Sequence, residues 1–334
     1  MKLITKTLMT AALALSVALP AAAADYTMRL SHGDNENNPT HKGALKFEEL
    51  VEKYSDGRID VVIFPSNQLG SEQEVAQALR MGSIESEILY TGNLVPLAPS
   101  VGVMMLPYAF TSNEEAHAAM DALKGPLNER LPKEAGVRIL GYFEKGFRVL
   151  TNGEREVKAL DDLQGLKIRV SKNNIAIETF KSWGLDPIPM AWAEVFPALQ
   201  QGVIDGQENP YTTAISSKFY EVQKYITDVH YLIWSGPIIV SDRFYQGLPE
   251  DLQAVLNKAG EEAANYEREV SAEETAAAKV KLAELGMILS GTPVDEEKWQ
   301  EAAKALWPGF AADIGGEAWV TEATQIMNDA IAAQ

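Results

Sequence analysis

Apolar and polar residues alternate along Tyr26–Ser31, and apolar ones then recur every three to four positions at Ala44, Phe47, Leu50, Val51 and Tyr54. That switch of period predicts a strand followed by a helix. Gly57 closes the helix, and Ile59, Val61, Val62 and Ile63 mark a second strand over 58–64. Ser71 and Glu74 form a capping-box pattern ahead of Val75, Ala78 and Leu79, and Gly82 ends that helix before a strand at Glu87–Tyr90. An apolar run, Val101–Leu106, stops at Pro107. Further on, a helix over Asn113–Leu123 precedes strands at Val137–Phe143, Phe147–Leu150 and Leu166–Val170. Helices follow around Ile175–Trp183 and over Trp192, Val195, Phe196 and Leu199, with Gly206–Pro210 read as a polar turn. Tyr231–Val240 is a long apolar strand interrupted by Gly236-Pro237, and from Pro249 the chain is mostly helix. The alternation is that of an α/β protein built from parallel-sheet units, and such proteins bind ligands at the carboxyl ends of strands or between domains.

The start of the chain lies outside this pattern. Lys2 and Lys6 precede an apolar run from Leu8 to Leu19, then Pro20 and alanines ending at Ala24. These are the parts of a secretory signal peptide cleaved near Ala24, and the run is too short to span a bilayer. The expectation is an exported, periplasmic protein with no stable membrane insertion. With no cysteine, thiol catalysis and cysteine-based metal sites are excluded. Loss of Lys2 and Lys6 takes the formal charge from −18 to −20. So acidic a chain repels nucleic acid and anionic membrane surfaces, and any anion it binds must be drawn into a local basic pocket.

Enzymatic signatures are missing: there is no GxxxxGK[ST], GxGxxG after the first strand, HExxH or GxSxG. Asp34, Glu36 and Asn38 imitate the start of a calcium loop, but Pro39 stands at the turn glycine and Leu45 at the bidentate glutamate. The four histidines have no metal-ligand spacing, so neither a catalytic residue, a metal nor a cofactor is expected. What remains suits a carboxylate. Arg169 interrupts an otherwise apolar strand, and a buried guanidinium needs a partner. Two partners would serve: a ligand carboxylate, held by the planar fork, or an internal one. Arg148 is a second cation in an apolar setting. Asn209, before Pro210, is biased extended and offers an amide, while Trp192 is suited either to the core or to a pocket wall.

The segments Leu163–Val170 and Pro189–Pro210 resemble the signatures of substrate-binding proteins of tripartite ATP-independent periplasmic (TRAP) transporters, the DctP type. Gln68-Leu69-Gly70, Leu106–Phe110, Gly146-Phe147-Arg148 with Thr151-Asn152, and Gly247-Leu248-Pro249 match in family order. The resemblance implies a two-domain periplasmic binding protein fold with crossing strands, a hinge and a long helix spanning both domains. By analogy domain I holds 25–145 plus 235–273, and domain II holds 146–234 plus 274–334. It also implies that Arg169 makes the ligand salt bridge, that Arg148 supports the same anion, and that Asn209 and Trp192 complete the pocket. The partners so implied are a small organic acid and the membrane permease subunits of a TRAP transporter; separately from the resemblance, the protein is expected to be a monomer.

The ligand is set by positions at which the family varies: His32, His41 and Glu72. An ionised Glu72 accepts hydrogen bonds from ligand hydroxyls and disfavours a second ligand carboxylate. Glu72 equally suits the first turn of a helix, opposite the macrodipole. The favoured expectation is a sugar acid or other hydroxylated monocarboxylate. A C4-dicarboxylate or a sulfonate is the alternative, and an enzyme acting on a small acid, with Glu72 or His32 as base, is a competing class.

Overall fold

The computed structural model describes residues 24–334, so the signal peptide expected over residues 1–24 lies outside the described residues but for Ala24. Eleven strands among these form two sheets. They are β1 Tyr26–His32, β2 Ile59–Phe64, β3 Ser86–Ile88, β4 Val137–Phe147, β5 Val149–Asn152 and β6 Ile168–Val170. The rest are β7 Ile188–Pro189, β8 Gly206–Asn209, β9 Tyr225–Thr227, β10 Ile233–Ser241 and β11 Ile288–Leu289. The first sheet runs β2-β1-β3-β10-β4 and the second β11-β9-β5-β8-β6-β7.

The sheets are mixed, not parallel throughout. β10 runs antiparallel to β3 and β4, and β5 antiparallel to β8 and β9, because the chain crosses between sheets along these strands. β4 ends one sheet, Arg148 is the single residue between, and β5 starts the other. The return passage lies beside it: Arg148 N–H donates to Leu232 O at 2.9 Å, and β10 follows. Gly236-Pro237 does not break β10, which pairs straight through to Phe143 and Tyr142.

Helix Glu250–Glu284 makes the third link. Its 35 residues extend about 52 Å at the standard rise. The near half lies so close on β4 that a Cβ on Gly260 would sit 2.7 Å from Leu140 O. The far half reaches the second lobe, where Lys279 Nζ donates to Asp228 at 3.0 Å. The last helix, Glu317–Ala332, turns back onto Asn113–Glu134, with the Arg130 guanidinium 4.3 Å from the Trp319 ring centre. Among the described residues no helix is long and apolar enough to cross a membrane.

Candidate functional site

Between the two sheets lies a cavity into which strand ends and helix starts from both lobes deliver polar side chains. From the first lobe come Asp34, just past β1; Glu72, the first residue of helix Glu72–Met81; and Tyr90 and Asn93 beyond β3. Ser71 caps that helix: its N–H and Oγ–H both donate to Glu74 Oε2, at 2.9 and 2.7 Å. This fixes the turn that carries Glu72. Lys145 and Arg148 enter from the crossing strand, Trp234 from β10, and Arg169, Ser171, Trp192 and Asn209 from the second lobe.

Gly206–Asn209 is not the polar turn its composition suggested but a buried strand. Its polar side chains satisfy one another and their neighbours. Gln207 Nε2 donates to Thr151 Oγ1 at 2.9 Å, and Asn209 Nδ2 to Gln207 Oε1 at 2.6 Å. Glu208 faces Arg148, which donates from Nε and Nη2 to the carboxylate and from Nη2 to Glu208 O at 2.8 Å. Tyr231 O–H adds a bond to Glu208 at 2.6 Å. Burial alone would lower the Arg148 guanidinium, but Glu208, Tyr90 and Tyr231 raise it overall. The internal carboxylate envisaged for Arg169 therefore belongs to Arg148. Only Nη1 of Arg148 is left buried without a hydrogen-bond partner.

Arg169 is as deeply buried, at 3% exposure, yet no described carboxylate lies within ion-pair distance of it. Its Nε and Nη2 share Met190 O, at 3.0 and 2.7 Å, which leaves the end edge of the fork, Nη1 with the second Nη2 hydrogen, for another acceptor. Burial pushes this guanidinium down to about 10, opposed by Glu208 and reinforced by Arg148, so it stays charged at neutral pH. Trp192 walls the cavity with its ring centre 6.0 Å from the Arg169 guanidinium carbon.

The remaining charges balance almost completely. Lys145 Nζ lies 2.7 Å from Asp34 and 3.7 Å above the Trp234 ring. Burial raises Asp34, but Lys145 outweighs it and holds the carboxyl below its ordinary value. Glu72 takes a hydrogen bond from Asn93 Nδ2, and burial pushes its carboxyl up to about 7.

His32 and His41 do not line this cavity. His32 is fully buried in β1, with Nε2 3.1 Å from His41 Nδ1, while its own Nδ1 is buried without a hydrogen-bond partner. Burial lowers His32 to about 4, leaving it neutral. Sequence reasoning missed Asp34, Lys145, Tyr90, Asn93, Ser171 and Trp234. Lys145 had a usable signal, being a cation inside a buried strand, like Arg169. No metal-ligand cluster occurs among the described residues.

A family model described as bacterial extracellular solute-binding protein, family 7, matches residues 30–313. The chain belongs to that family. A TRAP periplasmic solute-binding protein from Rhodobacter sphaeroides, described as apo, open and partially disordered, is 65% identical, covering 91% of this chain and 99% of its own, with a TM-score of 0.80. A sugar acid binding protein from Advenella mimigardefordensis in complex with galactonate is 32% identical over 91% and 98%, with a TM-score of 0.85. A C4-dicarboxylate-binding periplasmic protein from Rhodobacter capsulatus is 31% identical over 92% of each chain. The two-lobed family fold is thus the one read from the sequence. In this family member the lobes touch on both flanks of the cavity. Asn38 Nδ2 donates to Ser216 Oγ at 3.0 Å on one side, and on the other a Cβ on Gly92 would lie 2.8 Å from Asn173 Nδ2. The cleft is shut.

Proposed function

We propose that the protein captures a hydroxylated monocarboxylate of the sugar-acid type in the periplasm, closes over it, and delivers it to the membrane permease of a TRAP transporter. One observation carries this reading: Arg169 is the cation of the cavity left without a carboxylate. Asp34 neutralises Lys145 and Glu208 neutralises Arg148, so the site has room for one further negative charge. The opposite wall, with Glu72, Asn93 and Asp34, offers hydrogen-bond acceptors and an amide, which suits hydroxyls and repels a second carboxylate. The galactonate of the 32% identical structure supports the sugar-acid class, and the name of the dicarboxylate-binding relative supplies the alternative.

The leader is removed near Ala24. Residues 25–145 with 235–273 move as one lobe and 146–234 with 274–334 as the other, except that Glu317–Ala332 travels with Asn113–Glu134, on which it packs. The protein catalyses nothing, because the carboxylates that would serve as base are engaged with cations or held by Asn93. The test is a thermal-shift and calorimetry screen of galactonate, galacturonate, succinate and taurine, with product analysis for turnover. Galactonate and galacturonate should raise the melting temperature, since a ligand stabilises by RT ln(1 + [L]/Kd). A shift with succinate alone, or turnover of any acid, overturns the reading.

A further inference from the structure

Several hydrogen bonds join the lobes outside the cavity, among them Trp307 Nε1 to Pro107 O at 3.1 Å and Tyr108 N–H to Tyr231 O at 2.6 Å, and two of them end on one residue. Asn38 Nδ2 donates to Ser216 Oγ at 3.0 Å, and Asn35 Nδ2 donates to Ser216 O at 3.0 Å. None of the three lines the cavity or its mouth. We propose that Asn35, Asn38 and Ser216 form a closure latch that sets affinity and residence time for every ligand without touching any of them. This rests on the binding role proposed above but goes beyond it.

Each side of the latch is a rigid extension of a cavity wall. On the first lobe the chain runs from Gly33 and Asp34 in the wall to Asn35 and Asn38. Asp34 is pinned by Lys145, and its carbonyl accepts from Ser66 N–H at 2.9 Å. Both amides are oriented before the second lobe arrives. Asn35 Oδ1 accepts from Asn37 N–H at 3.0 Å, and Asn38 Oδ1 accepts from Thr40 N–H at 3.2 Å as the cap of helix Pro39–Tyr54. Their Nδ2 groups are thereby turned outward as donors. Asn38 is fully buried, so opening the cleft must also rehydrate its amide.

On the second lobe, Ser216 ends helix Tyr211–Ser216, which starts two residues after Asn209. That helix is held by Tyr211 O–H to Asp228 and buries Tyr211 and Ala214 against Ala278 and Leu282 of the spanning helix. A displacement of the Asn209 wall relative to the Asp34 wall therefore breaks both bonds together. A neutral hydrogen bond of this kind is worth about a two- to tenfold factor, so the pair is worth roughly five- to hundredfold in the closed-to-open ratio. Because the gain belongs to closure and not to a ligand group, it applies equally to all acids the site accepts.

The test uses Asn35→Ala, Ser216→Ala and the double variant, leaving Asn38 in place because it also caps a helix. The chain has no cysteine, so Leu45→Cys on the first lobe and Val203→Cys on the second, both exposed, accept a donor and an acceptor dye. The probes are galactonate and galacturonate. The double variant should lose five- to hundredfold in affinity for both by the same factor, mostly as faster dissociation, with an unchanged melting temperature without ligand. Unequal losses for the two acids would mean a pocket role and overturn the latch, as would unchanged affinity and dissociation. If the native chain binds neither acid, the function reading fails. The latch then stands or falls on energy transfer without ligand: a lower closed fraction in the double variant upholds it, and identical distributions overturn it.

Discussion

Arg169 and Arg148 sit in one cavity with opposite surroundings, and replacing each by methionine should give opposite phenotypes. Without ligand, Arg169 has no carboxylate beside it; its bonds go to a neutral carbonyl, Met190 O. Methionine forfeits those bonds, worth about 1.5–3 kcal/mol for a charged donor, but removes the penalty of holding a buried charge, several kcal/mol. The ligand-free melting temperature of Arg169→Met should therefore be unchanged or higher. Binding is another matter. A ligand carboxylate desolvated against methionine loses about 3–5 kcal/mol, or roughly 150- to 5000-fold in affinity. Arg169→Lys should recover little of it, because one ammonium cannot serve Met190 O and a bidentate carboxylate at once.

Arg148→Met instead strands Glu208, buried and held by Tyr231. Breaking that pair costs about 3–5 kcal/mol of stability, a fall of roughly 5–10 °C in melting temperature for a chain of this size. Scanning calorimetry without ligand and titration calorimetry with galactonate read the two effects separately. If Arg169→Met melts as low as Arg148→Met, Arg169 has an internal partner and the assignment of the ligand carboxylate to it fails. Affinity within tenfold of native in Arg169→Met would refute it equally.

Two further outcomes follow from the same structure. Glu72 is raised by burial to about 7, so the folded chain keeps a proton there that the unfolded chain releases near 4.5; this contribution to stability is lost as pH rises between those values. Denaturant unfolding across pH 4–8 should show that decline in the native chain and a flatter profile in Glu72→Gln, and succinate should bind better at pH 6 than at pH 8 only in the native chain. Gly260→Ala, which elsewhere in a helix would gain up to about 1 kcal/mol, should lower the melting temperature, because its Cβ would lie 2.6–2.8 Å from Leu140 Cβ, O and C.

Most of the fold was legible because its elements follow local rules. Ser71 caps its helix in the structure, and Gly57 and Gly82 follow helix ends with φ of +75° and +73°. Strand direction was less legible. Whether β10 runs parallel or antiparallel to β4 depends on the route between lobes, and that route is not written in the pattern of either strand. Gly206–Asn209 was misread for a related reason: polarity signals a turn only when the polar groups end in water, and here they end on Thr151, Arg148 and one another.

The same reasoning explains why residue types and spacing located the site but could not apportion its charges. A buried arginine announces that an anion is near. It does not say whose. Glu208 stands 39 residues from Arg169 and 60 from Arg148, and in sequence it is simply the glutamate of a polar stretch. Only the antiparallel pairing of β5 with β8 puts Leu150 opposite Glu208 and so brings the Arg148 side chain onto that carboxylate. Once Glu208 is engaged with Arg148 and Asp34 with Lys145, Arg169 is the cation that remains, and a chain of formal charge −18 acquires a pocket for a single anion. On the proposed reading, specificity for one carboxylate is a property of how these four neighbouring charges are paired, and it would change if any one pair were exchanged while every cavity residue stayed in place.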